Sequence, residues 1–365
     1  MSFSKGSAIT IGVKAHVLFS RLLKPDEYWM MLGFKSTSEI AAFLKQTEGY
    51  RDHMVTLIPE KVHRIDLEDT IHASILREAN SFLYYLSGDM RNVFTDWLAL
   101  FEAQDLKSIL RWLRSKRIDR DTMRKHLYCP PSSALPYDAL LNCRDYQEVY
   151  ECLRTAKVSK MLFEPLRRLI SGESTLFPLE MAIDFSAESR FYEDFKKLPH
   201  EERKVLMPIV GARVDLMNLY NLHRCMWYYN MTLEETLSRM MPMRYKVTTH
   251  HLRELAKETN GQESLEKLEE LFPVYGKIFR DALDQDEKEL ALEVSIARYE
   301  YTKSLAVLQN GFPGFHTAFA YFMIKNFEIS DLVRIIEEVR YGYDSRYAAQ
   351  YLIKPILTGG EHAWQ

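Results

Sequence analysis

Turn-forming residues are scarce in this chain: 365 residues hold only 14 Gly and 13 Pro. A β-rich protein spends such residues on its many turns. Apolar alternation at period two is also rare, so the composition excludes an all-β fold. Cysteine is scarcer still. Cys129, Cys143, Cys152 and Cys225 are scattered without metal-ligand spacing or a disulfide framework, which fits reduced thiols in a cytosolic protein. Neither charge sign is in excess. Lys and Arg number 48 against 51 Asp and Glu, a net charge of −3, so the basic surplus of a nucleic-acid binder is missing. No apolar run reaches the ~18 uninterrupted residues of a spanning helix. The run from Ile9 to Phe19 is broken by Lys14 and His16, which argues against a signal peptide.

The motifs of common enzyme chemistries are missing too. There is no GxxxxGK(S/T) or GxGxxG phosphate loop, no GxSxG elbow, and no HExxH or DDxxD-like helical metal cluster. Weak candidates remain. His250 and Glu254 share a helix face with His251 beside them, but two ligands without partners do not make a metal site, and we take them as a polar helix surface. His223 and Cys225 flank Arg224 and point to different faces, as packing residues do. The basic stretch from Arg111 to Arg124 is interleaved with Asp119 and Asp121 and reads as a solvated junction, with a surface for an acidic partner as the sharper alternative. We therefore assign no catalytic, cofactor-binding or metal-binding residue, and expect no cofactor.

What is present is helix, and a repeat. Ile71, Ile75, Ala79, Phe82, Leu83 and Leu86 recur at helical spacing, and 61–86 contains neither Gly nor Pro, so it predicts a helix about 40 Å long. Ser87-Gly88-Asp89 stops it, and a second long helix is expected over 90–115, the two forming a hairpin. The same design is expected over 188–224, broken at Leu198-Pro199-His200, and over 289–340, broken at 310–314. Pro208 is a possible kink in the second copy. Shorter helices precede each hairpin. Pro25-Asp26-Glu27 opens one, Ser36 to Glu39 forms a capping-box pattern, Pro136-Tyr137-Asp138 opens another, and Asn260-Gly261 marks a break.

Each long returning helix carries one motif: DLKSILRWLR from Asp105 to Arg114, DLMNLYNLHR from Asp215 to Arg224, and DLVRIIEEVR from Asp331 to Arg340. The copies lie about 110 residues apart, far beyond a solenoid period, which implies three copies of one small domain. Asp and Arg are nine residues, or about 900°, apart on a helix, so they face opposite ways and cannot pair within it. Each is expected to pin its helix to a neighbour. We place the modules at 1–115, 116–224 and 225–365, with a frayed tail from Gly359.

Three passages together resemble the family of C subunits of V/A-type ATPases, related to the d subunits of eukaryotic V-ATPases, over about 14–352. They are KAHVLFSRLLKPDEYWMMLGFKSTSEIAAFLKQTEGY, closing on Leu44, Thr47 and Tyr50; the triple motif; and GFPGFHTAFAYFMIKNFEISDLVRIIEEVRYGYD. Asp331 stands where many relatives have Asn or a similar polar residue. The resemblance implies an all-α fold of three homologous helical domains in a pseudo-threefold, funnel-like arrangement. It implies a non-catalytic central-stalk rotor subunit, a spacer between the central shaft and the membrane proteolipid rotor ring, on the cytoplasmic face and peripheral to the membrane. It implies no nucleotide or nucleic-acid binding. The alternatives left open are a helical-repeat adaptor for soluble partners and an all-α enzyme with a pocket between modules.

Overall fold

The computed structural model describes residues 5–130, 132–156, 158–241, 243–258 and 260–356, and among them there is no strand. The expected start of fraying at Gly359 lies outside the described residues. The described chain divides into two compact units, one holding Ile65–Leu198 and the other the residues on either side of it.

In chain order the α-helices are α1 (Lys5–Phe19), α2 (Pro25–Leu32), α3 (Thr37–Leu44), α4 (Arg64–Leu83), α5 (Gly88–Ser115), α6 (Arg120–Lys125), α7 (Tyr137–Asn142), α8 (Tyr146–Thr155) and α9 (Phe163–Ile170). There follow α10 (Phe177–Phe195), α11 (His200–His223), α12 (Leu233–Leu237), α13 (Thr249–Ala256), α14 (Gly261–Leu271), α15 (Pro273–Leu283), α16 (Lys288–Asn310), α17 (Phe315–Tyr341) and α18 (Ser345–Gln350).

The local signals act where their chemistry places them. Pro25 opens α2 because its missing N–H is one that a first turn would leave unpaired anyway. Ser36 Oγ accepts from the Glu39 amide and starts α3, and Asn260 Oδ1 accepts from the Gln262 and Glu263 amides and starts α14. Gly342, at φ +70°, ends α17 in the left-handed conformation that glycine tolerates. Pro208 lies inside α11, which continues through it.

The three expected helix–break–helix arrangements are all present: α4–α5, α10–α11 and α16–α17. The first helix is shorter than expected, 20 residues or about 30 Å, because Lys61 ends a separate 3-10 turn of helix, Val62 is extended, and the chain leaves the helix after Leu83. The pairing also differs. Of these three pairs, α16 and α17 pack along each other as a hairpin. In the first unit α5 lies along α10, with α7, α8 and α9 packed in sequence beside them, and α10 and α11 fall in different units. In the second unit α11 lies along α16, and α17 lies along both α16 and α1. Periodicity shows that a helix has an apolar face but not which helix will cover it.

Each unit closes around its own core. In the first, Ile109 and Leu110 of α5 meet Leu140 of α7, Val149 of α8, Leu166 of α9 and Leu179 of α10. In the second, Leu216 and Leu219 of α11 meet Leu252, Ile278, Phe279 and Leu292. α17 is buried nearly all round, with Phe319, Phe322, Leu332 and Ile336 at its heart. α1 reaches the turn before α17 so closely that a Cβ on Gly12 would stand 2.3 Å from the Gly314 nitrogen. A glycine is therefore required there by contact, not by φ.

Candidate functional site

The three repeated aspartates are buried to the same degree, at 1%, 0% and 1% exposure. Each grips the backbone of a loop downstream in the sequence. Asp105 Oδ1 accepts from the Tyr128 amide at 2.8 Å, and its Oδ2 accepts from the Cys129 amide at 2.9 Å and the Tyr137 hydroxyl at 2.7 Å. Asp215 accepts from the amides of Tyr245, Lys246 and Val247 at 3.1, 2.7 and 3.1 Å, with the Tyr275 hydroxyl at 3.5 Å. Asp331 accepts from the amides of Ile353 and Lys354 at 2.6 and 2.9 Å. In every copy the carboxylate clips a non-helical stretch onto a long helix. Burial raises all three carboxyls, to about 6 for Asp105 and about 7 for Asp331, while the amide donors pull them back down.

The repeated arginines do something different. Arg114 and Arg340 are exposed; Arg340 lies 3.9 Å from Glu337 and over the Tyr341 ring. Arg224 is half-buried, donates to the Tyr229 hydroxyl at 3.2 Å and lies over the rings of Tyr220 and Tyr229. The contacts found for Arg224 and Arg340 stay within their own stretch of chain.

A second buried constellation sits on α17. Lys325 is fully buried, and its ammonium donates to Glu328 Oε1 at 3.2 Å and lies 3.8 Å from the Tyr50 ring centroid. Glu328 also accepts from the Tyr50 hydroxyl and the Leu23 amide, both at 2.8 Å. Tyr50 closes the Leu44, Thr47, Tyr50 series, and Thr47 donates to the Leu44 carbonyl at 2.8 Å. The N-terminal passage and the third motif helix thus meet in one ion pair. Nothing in local periodicity marks Lys325 or Glu328. Their one signal is a charge pair in the otherwise largely apolar stretch 315–330.

The weak metal candidates take structural roles. His251 Nδ1 accepts from the Thr248 amide at 3.2 Å as a helix cap, and His250 Nε2 lies 4.0 Å from Glu254 on an exposed surface. His223 packs on Trp227, and burial lowers its pKa. Among the described residues no group of three or more His, Cys, Asp or Glu could hold a metal ion. In the basic stretch, Arg111 pairs with Glu180 at 2.6 Å, Arg124 with Asp138 at 2.7 Å, and Arg120 donates to Asn142 at 2.7 Å.

One contact between helix starts is pH-sensitive. Glu202, near the start of α11, accepts from the His316 amide at 2.8 Å and sits 2.7 Å from His316 Nδ1 at the start of α17. Burial opposes the imidazolium, but the Glu202 hydrogen bond and charge outweigh it and raise the pKa above 6.5. A raised pKa means the contact stabilises fully below the unfolded value and is lost as pH rises through the folded one. Thermal unfolding at a series of pH values should therefore show Glu202→Gln costing most below pH ~6.5, on the order of 1 kcal/mol, with the gap to the natural protein narrowing above it. A gap independent of pH would refute the assignment.

No helix of the described residues is long and apolar enough to cross a membrane. A comparison with curated protein sequences returned no match. Comparison with protein families gives a match over residues 11–351, which takes in all three motif helices, the loops clipped by Asp105 and Asp215, and the Lys325–Glu328–Tyr50 cluster. The chain belongs to the ATP synthase (C/AC39) subunit family, the C subunits of V/A-type ATP synthases.

Proposed function

We propose that this protein is a non-catalytic central-stalk subunit that passes torque between the shaft and the membrane rotor ring of a V/A-type machine. The observation that carries this reading is the family match across nearly the whole chain. The physics of the fold is consistent with it. A torque-bearing spacer needs walls that do not yield, and long helices packed at crystal-like density supply them. Loops are the weak places in such walls, and here three of them are clipped to long helices by buried carboxylates. Three clips of one kind support three related copies of one design, although those of Asp105 and Asp215 hold residues beyond the cuts at 115 and 224.

A threefold spacer and a ring of different subunit number cannot match residue for residue, so their contact rests on shape and distributed charge. Such a contact is screened by salt. The test is to purify the assembled complex with and without this chain. Without it, ATP hydrolysis should continue while ion movement across the membrane stops, and with it, rising ionic strength should release it from the ring. Retained ion pumping in its absence would overturn the proposal.

A further inference from the structure

Past the end of α17 the chain lays out a line of tyrosines. Gly342, at φ +70°, turns the backbone so that the rings of Tyr341 and Tyr343 stand 6.1 Å apart. Tyr343, Tyr347 and Tyr351 follow at intervals of four, the spacing that puts side chains on one helix face, and α18 runs between them. Their ring centroids are 6.4 and 5.3 Å apart. Tyr351 is buried and backs the line, whereas Tyr341, Tyr343 and Tyr347 are 62%, 58% and 40% exposed. Aromatic rings grouped on a surface mark a contact site rather than a packing need.

The line ends at an open cleft of about 490 Å³, walled by Tyr347, Gln350 and Tyr351 and by Asp284 and Asp286 of the loop between α15 and α16. Residues 281–289 carry five acids and one base, Lys288. Arg298 also lines the cleft, but its guanidinium is committed to the Gln350 and Leu352 carbonyls at 2.5 to 2.9 Å, and Asp331 acts against its charge. Burial, then the Tyr347 hydroxyl, then the charges of Glu287 and Asp286 raise the pKa of the Tyr351 hydroxyl, so negative charge reaches the cleft. On the tyrosine side the exposed base Arg346 is matched by Asp344. The chain itself shows what such rings hold. Arg340 lies 5.2 Å over Tyr341, and Arg224 lies 5.2 and 5.7 Å over Tyr220 and Tyr229. With Tyr341 taken by Arg340, the exposed faces beside the acids are those of Tyr343 and Tyr347.

We propose that Tyr343, Tyr347 and the Asp284–Asp286 loop form a docking surface for an arginine-bearing segment of a partner protein. A guanidinium is flat, so it lies on a tyrosine ring while its edge N–H groups donate to a carboxylate; an ammonium has no face to stack. The surface lies within one unit and does not depend on the stalk function.

Calorimetric titration of the full-length chain with a short acetylated Arg-Gly repeat peptide, and with Lys-Gly and Glu-Gly peptides of the same length, tests it. Saturable binding of the Arg-Gly peptide is expected, with the Lys-Gly peptide at least about threefold weaker and no binding of the Glu-Gly peptide. The double variant Tyr343→Leu/Tyr347→Leu should weaken the Arg-Gly peptide about fivefold to tenfold, and Asp284→Asn/Asp286→Asn about threefold to tenfold. All four side chains are exposed, so both variants should keep the natural melting temperature to within about 2 °C. Absence of saturable Arg-Gly binding, Lys-Gly binding as tight as Arg-Gly, or full affinity in either double variant would each overturn the proposal.

Discussion

Asp215→Asn is expected to cost about 3–5 kcal/mol, one of the two largest losses of any single polar substitution in the second unit. The side chain keeps its shape, but one of its two oxygens becomes an amide nitrogen that cannot accept. Asp215 Oδ2 takes the Lys246 and Val247 amides and Oδ1 takes that of Tyr245, so whichever way the amide turns, a buried donor meets another donor. Charge-assisted bonds worth about 1.5–3 kcal/mol are lost, and the orphaned amides add their own desolvation. The loop between α12 and α13 should loosen before the unit unfolds. Hydrogen exchange at Tyr245, Lys246 and Val247 should accelerate by about a hundredfold or more, while Tyr128 and Cys129, held by Asp105, stay as protected as before. Equal acceleration at both loops, or none at either, would show that Asp215 does not act as a local clip.

Lys325→Met is expected to cost a similar 3–5 kcal/mol for a different reason. Methionine fits the space, but Glu328 then remains 4% exposed without a counter-ion, keeping only its bonds from Leu23 and Tyr50. The contact of the ammonium with the Tyr50 ring disappears as well. The double variant Lys325→Met/Glu328→Gln removes both charges while leaving an acceptor for Tyr50, so it should be more stable than Lys325→Met alone. Chemical denaturation of the natural protein, both single variants and the double gives the coupling energy. A coupling near zero would mean that the two charges are solvated independently, contrary to their burial.

The helical class, the positions of the long-helix breaks and the starts of α2, α3 and α7 were legible in the sequence because they follow from short-range rules. Proline, glycine and capping side chains act within one turn of where they stand. The identity of each helix's partner was not legible. α5 shows its apolar face plainly, yet whether α4 or α10 covers it depends on contacts some 80 residues apart, which periodicity does not encode. The aspartates were visible as a repeat, but what they hold was not. Their partners are backbone amides of Tyr128, Ile353 and their neighbours, and an amide looks alike in every residue. Lys325 and Glu328 were missed because two charges three residues apart on a helix usually mark a solvated face. Only the depth of α17 in the core makes them a buried pair.

The clips also bear on how such a chain can change over time. A carboxylate that binds main-chain N–H groups imposes no demand on the side chains of the segment it holds, beyond forbidding proline. In the three held segments, Tyr128-Cys129, Tyr245-Lys246-Val247 and Ile353-Lys354, no position carries the same residue in all three. Those segments are free to drift, acquiring whatever surface a neighbouring protein selects, while a single acid on each long helix keeps the path of the chain fixed.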